Sequence, residues 1–330
     1  MAQDDILVVE GLKKYFPVGK GFLRHPRAQV KALDGVDIAV RQGTTLAVVG
    51  ESGCGKTTLG RCILRLEEPT SGQIRFLGKD VLACNHRELK ALRREMQFIF
   101  QDPYSSLNQR MTVGDIIGEG LSIHGVASGN EWKQRVTELL SVVGLRPEHS
   151  RLYPHEFSGG QRQRICVARA LALNPRLVIA DEPVSALDVS IQAQILNLLV
   201  SLQRRYGLSY IFISHDLRVV RHISDTVAVM YLGRIAEIAP RDKIYAHPLH
   251  PYTEALMSAV PRVNPSRRRR RILLEGDVPS PINPPRGCRF HPRCLYSRTE
   301  CMAEHPSLLE VESDRWVACY FPRTERNERP

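Results

Sequence analysis

The run Gly50-Glu51-Ser52-Gly53-Cys54-Gly55-Lys56-Thr57 constrains this chain more than any other stretch. Before it comes Thr44-Thr45-Leu46-Ala47-Val48-Val49, a β-branched, apolar segment that suits a buried parallel strand. After it comes the helical pattern TTLGRCILRL. Strand, turn and helix together satisfy GxxxxGK[ST], a phosphate-binding loop. Its glycines let backbone N–H groups face inward around an anion, and Lys56 brings a point charge to β- and γ-phosphates. Thr57 offers a hydroxyl to Mg²⁺, and the helix starting near Lys56 aims its positive end at the same anion. Cys54 fills a position that the pattern leaves free.

A second apolar strand is expected at Leu177-Val178-Ile179-Ala180, ending in Asp181-Glu182. Behind a phosphate loop, an aspartate at such a strand end holds Mg²⁺. Glu182 is placed to polarise an attacking water. Between the two strands lies Phe157-Ser158-Gly159-Gly160-Gln161-Arg162-Gln163-Arg164, which leads into the helical ICVARAL. Ser158 and Gln161 form a capping box. Capping does not explain Gly159-Gly160, which weaken the first helical turn. Exposed N–H groups there make a second anion site, for which the same subunit has no phosphate left.

At this point the chain resembles the ATP-binding-cassette (ABC) ATPases, whose signature is LSGGQ-like; Phe157 stands here for the first Leu. The resemblance runs from about residue 6 to 239. It implies an α/β fold: a P-loop NTPase, RecA-like core carrying an antiparallel β subdomain and a helical subdomain. It also implies two subunits sandwiching two ATPs, each nucleotide lying between the loop of one (Gly50, Glu51, Ser52, Gly53, Cys54, Gly55, Lys56, Thr57, Thr58) and the signature of the other (Ser158, Gly159, Gly160, Gln161). Gln101, in FIFQDP, looks like the Q-loop glutamine that senses Mg²⁺ and water and couples to a membrane partner. Asp188, in SALD, looks like the D-loop residue at the dimer interface, and His215, in IFISHD, like the switch histidine on the γ-phosphate. Phe16 resembles the aromatic that stacks on adenine, with an ordinary core aromatic as the alternative. By the same likeness the catalytic set is Glu182, His215, Lys56 and Gln101, and Thr57, Gln101 and Asp181 serve Mg²⁺.

At 330 residues the chain can hold one large domain with an appendage. We expect an ABC ATPase domain over 1–265, with its helical subdomain at about 102–157, and a small cysteine-containing C-terminal extension over 266–330. Within the subdomain, Trp132, Val136, Leu139, Leu140 and Val143 share one helical face and Gly144 supplies a stop. HPLHPYTEAL and LEGDVPSP resemble the extension of dipeptide, oligopeptide and nickel importers. Through ALDGV, TLAVVGESGCGK and DEPVSALDVS the likeness is nearest to the second ATPase subunit of bacterial dipeptide permeases. That implies ATP-driven import of dipeptides or oligopeptides. The implied partners are a second, non-identical ATPase subunit, two transmembrane permease subunits and an extracytoplasmic peptide-binding protein.

The start, MAQDDILVVEGLKK, has acid where a secretory signal has base, and no apolar run reaches the eighteen residues that span a bilayer. Together with the importer likeness, this implies a peripheral place on the cytoplasmic face of the inner membrane. The net charge of +11 fits solvated surface charge, nucleic acid, an anionic membrane or an acidic partner, and Arg267 to Arg271 form its one dense block.

Cys54, Cys62, Cys84 and Cys166 are scattered, whereas Cys288, Cys294, Cys301 and Cys319 cluster as C-x5-C-x6-C-x17-C. Cytosolic thiols so gathered point to metal, and four thiolates suit tetrahedral zinc or a [4Fe-4S] cluster. Spacing does not decide between them; the resemblance implies a [4Fe-4S] cluster, with zinc and free thiols as alternatives. A rival reading is a nucleic-acid-directed ABC ATPase of the repair type with a zinc module. The short interval from Gln101 to Ser158 and the terminal position of the cysteines weigh against it. A two-cassette translation protein is weaker still, because the chain has one loop and one signature.

Overall fold

A computed structural model of the protein describes residues 5–18, 28–260 and 272–323; the Arg267 to Arg271 block lies outside the described residues. The chain begins with strands β1 (Asp5–Val18), β2 (Ala28–Arg41) and β3 (Thr45–Val49), helix α1 (Lys56–Ile63) and strands β4 (Ser71–Phe76) and β5 (Lys79–Asp80). Next come α2 (His86–Glu95), β6 (Met96–Ile99), α3 (Pro103–Ser106), α4 (Val113–Ile123), α5 (Gly129–Val142), α6 (Gly159–Leu171), β7 (Leu177–Asp181), α7 (Val189–Tyr206) and β8 (Ser209–Ile213). The last stretch holds α8 (Leu217–Ile223), β9 (Thr226–Tyr231), β10 (Arg234–Pro240), α9 (Arg241–Ala246), α10 (Pro251–Ser258), α11 (Glu300–Ala303), β11 (Leu309–Glu312) and β12 (Arg315–Val317).

These elements gather into two compact units. One is built mainly on residues 83–213. Its strands β6, β7 and β8 run parallel, with Phe98 opposite Ile179 and Asp181 opposite Ile213. Every residue of β7 and β8 is buried, as expected of strands covered on both faces. The helices of the 102–157 region follow from local signals. Thr112 caps α4 through the Asp115 N–H, and Gly144 closes the α5 region at φ 73°. Val136, Leu139, Leu140 and Val143 are buried as their spacing predicts, and Trp132 is half-buried with its indole N–H donating to the Gly118 carbonyl at 3.0 Å. A Cβ on Gly118 would fall inside that indole, so the close approach of α4 to the ring requires glycine there.

The other unit holds 7–39, 46–82 and 214–330. It contains the antiparallel sheet β2-β1-β4-β5, the expected antiparallel subdomain, in which Val9 pairs with Ile74. Its second set of strands runs β11-β12-β10-β9-β3, with β3 parallel to β9 (Ala47 opposite Val227) and β9, β10, β12 and β11 antiparallel in turn. The tail strand β12 thus adds directly to β10, with Trp316 opposite Ile238. Ala47, Val49, Val227, Val229, Tyr252 and the tail residue Phe290 share one apolar cluster. Burial of each large side chain there contributes about 1.5–3 kcal/mol. Phe290 meets Tyr231 edge to face at 5.4 Å between ring centroids. Among the described residues, no helix is long and apolar enough to cross a membrane.

Candidate nucleotide site

In the unit carrying β3, the strand ends at Val49 and the chain turns at once into the loop. Gly50 and Gly55 take φ 153° and 106°. A Cβ on Gly50 would strike the Met230 carbonyl, and one on Gly55 the Ala32 carbonyl, so neighbouring backbone forbids any side chain at either position. Lys56 opens α1 and is 6% exposed. Its ammonium is turned into the loop, donating to the Gly50 carbonyl at 2.8 Å and the Glu51 carbonyl at 2.9 Å. Cys54 is buried, and burial pushes its thiol above the ordinary range; it serves as packing under the loop. Ser52 and Gly53 at the loop crest are exposed, and Thr57 and Thr58 are half-buried.

Of the two aromatics near the start, Tyr15 is committed: its hydroxyl donates to Asp34, which also pairs with Arg234 at 3.0 Å and with Arg289 from the tail. Burial pushes the Asp34 carboxyl up, but the Tyr15 hydrogen bond and the two guanidiniums outweigh it and hold the group below the usual carboxylate range. Phe16 is half-buried, with the Lys14 ammonium 4.7 Å from its ring centroid. His215 is exposed beyond β8; next to it, Ser214 Oγ accepts the Asp216 N–H at 3.0 Å, and Asp216 caps α8.

In the unit carrying β7, Asp181 ends the strand and is 3% exposed. A buried carboxylate and a threonine hydroxyl are hard oxygen donors of the kind Mg²⁺ takes. Glu182 follows at φ 46°, a left-handed conformation unusual for a non-glycine residue. Its N–H is held by the Ile213 carbonyl at 2.9 Å, while the Ser185 N–H and hydroxyl fix its carbonyl at 3.2 and 3.1 Å. Backbone strain so over-determined is characteristic of working residues. Gln101 Nε2 donates to the Glu182 carboxylate at 3.0 Å, which joins two residues 81 positions apart.

The signature forms the expected capping box: Gln161 N–H donates to Ser158 Oγ at 3.4 Å and Ser158 N–H to Gln161 Oε1 at 3.0 Å. The two glycines now separate. A Cβ on Gly160 would meet Ile191 Cγ2 of α7 at 2.5 Å, so close helix packing requires that glycine. A Cβ on Gly159 would make only ordinary contact, 3.5 Å from Leu187, and Gly159 is exposed. Its missing side chain leaves the N–H end of α6 open to an anion. Asp188 precedes α7 without capping it through its side chain, and Val189 beside it is 79% exposed.

The metal centre expected at the tail cysteines is only partly present. Cys288, Cys294, Cys301 and Cys319 do line one cavity, together with Phe290 and His291. Among the described residues, however, no group of three His, Cys, Asp or Glu is arranged to hold a metal ion. Burial pushes Cys294 up to about 11 and Cys319 up to about 12, and raises Cys288 as well. Buried or half-buried around that cavity, the four side chains pack like small apolar groups.

The model of a family described as ABC transporter matches residues 33–185, and that of the oligopeptide/dipeptide transporter C-terminal region matches 236–301. The oligopeptide transport ATP-binding protein AppF of Bacillus subtilis is 51% identical, over 97% of this chain and 98% of that protein. The dipeptide transport ATP-binding protein DppF of Haemophilus influenzae is 54% identical over 94% of each, and the protein of the same name in Escherichia coli 50% identical over 98% and 97%. Among solved structures, a dimeric ATP-binding cassette in a post-hydrolysis state with ADP and Pi aligns with a TM-score of 0.63 and 27% identity, over 71% of this chain and 98% of that one. A subunit of the cbiONQ ABC transporter complex of Clostridium perfringens gives 0.64 and 28%, over 74% and 92%. None of these relatives lends support to the nucleic-acid reading.

Proposed function

Because the chain belongs to the ABC transporter family, among the ATP-binding subunits of peptide transporters, we propose that it hydrolyses ATP to drive import of dipeptides or oligopeptides. The observation that carries this reading is the near-full-length match, at about half identity, to proteins named for that transport. It works from the cytoplasmic face of the inner membrane, beneath two permease subunits and beside a second, non-identical ATPase subunit, on peptide delivered by an extracytoplasmic binding protein. Its ABC ATPase domain occupies 1–265 and its extension 266–330.

Each residue has a defined role in this account. Phe16 stacks on adenine; Lys56 and the loop from Gly50 to Thr58 hold the phosphates; Ser158, Gly159, Gly160 and Gln161 cover the nucleotide held by the other subunit. Thr57, Gln101 and Asp181 hold Mg²⁺, which neutralises phosphate charge when bound. Glu182 polarises the water, Gln101 fixes the Glu182 carboxylate, His215 contacts the γ-phosphate, and Asp188 lies at the subunit interface. Lys56→Ala is expected to weaken ATP binding about 10- to 100-fold, because a charged donor is lost from a buried loop. Unchanged ATP affinity by fluorescence titration would remove Lys56 from this role. ATP hydrolysis by the chain purified with its membrane subunits should rise when peptide-loaded binding protein is added. Indifference to the loaded binding protein, together with salt-sensitive DNA binding, would instead favour the repair-type reading.

For the tail we propose a [4Fe-4S] centre on Cys288, Cys294, Cys301 and Cys319, with zinc as the alternative. The lining of one cavity by all four thiols supports it. A bound cluster would deprotonate the thiols and cross-link the tail. Iron, sulfide and zinc analysis of anaerobically purified protein tests it. Iron and sulfide in equal amounts, lost on Cys294→Ala, is the expected result, and stoichiometric zinc without iron contradicts it.

A further inference from the structure

We infer that Arg293 and Tyr252 are positioning residues for the phosphate-binding loop, so that the cysteine-bearing tail sets nucleotide affinity through Glu51. The inference rests on the assignment of Gly50 to Thr57 as the ATP loop. Glu51, the second residue of that loop, is held at three atoms. Its N–H donates to the Tyr252 hydroxyl at 2.9 Å, its carbonyl accepts from Lys56 Nζ at 2.9 Å, and its carboxylate accepts from Arg293 Nη1 at 2.9 Å.

Tyr252 lies on α10, fully buried, and Arg293 lies in the short turn between Cys288 and Cys294. They reach Glu51 across 201 and 242 residues of chain. The guanidinium side chain is 8% exposed and the carboxylate side chain 25%, so solvent screens this pair less than a surface ion pair. Arg293 also donates to the Tyr231 hydroxyl at 3.4 Å, and its N–H is fixed by the Phe290 carbonyl at 3.0 Å. Phe290 belongs to the apolar cluster that includes β3, so the turn carrying Arg293 is anchored to the strand from which the loop springs.

Glu51 in turn supplies one of the two carbonyls that Lys56 engages, and the peptide that follows it begins the run of N–H groups that would cradle phosphate. Releasing the Glu51 carboxylate therefore loosens both the lysine and the loop entrance. If Arg293 only fastened the tail, its loss would lower thermal stability and leave the loop unchanged.

The experiment is titration of the full chain with a fluorescent ATP analogue and Mg²⁺. Arg293→Gln and Glu51→Gln are each expected to raise Kd about five- to tenfold, with the double variant no worse than either, as for loss of one charge-assisted bond. Arg293→Lys should recover part of the affinity, and Tyr252→Phe should raise Kd about threefold. Arg298→Gln, which removes a guanidinium stacked 4.2 Å over Phe321 in the same tail, should leave Kd unchanged. A lowered melting temperature with unchanged Kd in Arg293→Gln, or effects that add in the double variant, would overturn the inference alone. Failure of the unmodified chain to bind the analogue would overturn the loop assignment, and the inference with it.

Discussion

Glu182→Gln is expected to keep ATP affinity within about twofold while hydrolysis falls by about 10²- to 10⁴-fold, the range for losing a positioned general base. The amide cannot take the developing proton from water, yet it has the same shape. The φ of 46° and the backbone bonds from Ile213 and Ser185 do not depend on the side chain, so the site should survive the substitution. Gln101 would lose a charged acceptor but can still pair with an amide oxygen. Phosphate release and ATP-analogue titration, run with the equivalent glutamate of any partner ATPase subunit also replaced, separate the two effects. Turnover within about tenfold of the unmodified protein would take Glu182 out of the chemistry.

Arg315→Ala should destabilise the tail-bearing unit by about 3–5 kcal/mol, the cost of stranding a buried charge. Its partner Glu237 is fully buried on β10, and its carboxylate also accepts the Leu249 N–H at 3.0 Å and the His250 N–H at 2.9 Å. Arg315 Nη2 completes the set at 2.9 Å and also donates to the His247 carbonyl. The carboxylate thus joins β12, β10 and the entry to α10. Removing it as well does not restore the balance, since two buried backbone N–H groups would then lack an acceptor. Glu237→Gln paired with Arg315→Met should be milder than Arg315→Ala alone, because an amide oxygen still satisfies those donors. Urea unfolding measures both, and a loss below about 1 kcal/mol for Arg315→Ala would show that solvent reaches the carboxylate.

Much of this was legible in the sequence wherever the determinants are local. The strand before Gly50, the stripe from Val136 to Val143 and the Ser158 capping box each depend on neighbours a few residues away, and each folds as its pattern predicts. Long-range packing was not legible. Gly160 looked like an anion-binding glycine and is required by Ile191 of α7, whereas Gly159 keeps the open N–H end. Tyr252 and Arg293 sat inside HPLHPYTEAL and GCRFHPRC with nothing in the spacing to tie them to a loop two hundred residues earlier. Nothing in ALDGV singles out Asp34, yet it gathers Tyr15, Arg234 and Arg289. The four tail cysteines were legible as a cluster and do line one cavity, but their spacing along the chain does not fix how close the sulfurs come, which the packing of the tail sets.

ATP hydrolysis at this chain is expected to move peptide. Its most direct test is uptake of a labelled dipeptide into proteoliposomes holding both permease subunits and both ATPase subunits, with binding protein on one side and ATP supplied on the other. The expected result is ATP-dependent accumulation that is abolished by Glu182→Gln in this chain together with the matching change in any partner ATPase subunit. Equal accumulation without ATP, or with both glutamates replaced, would contradict it.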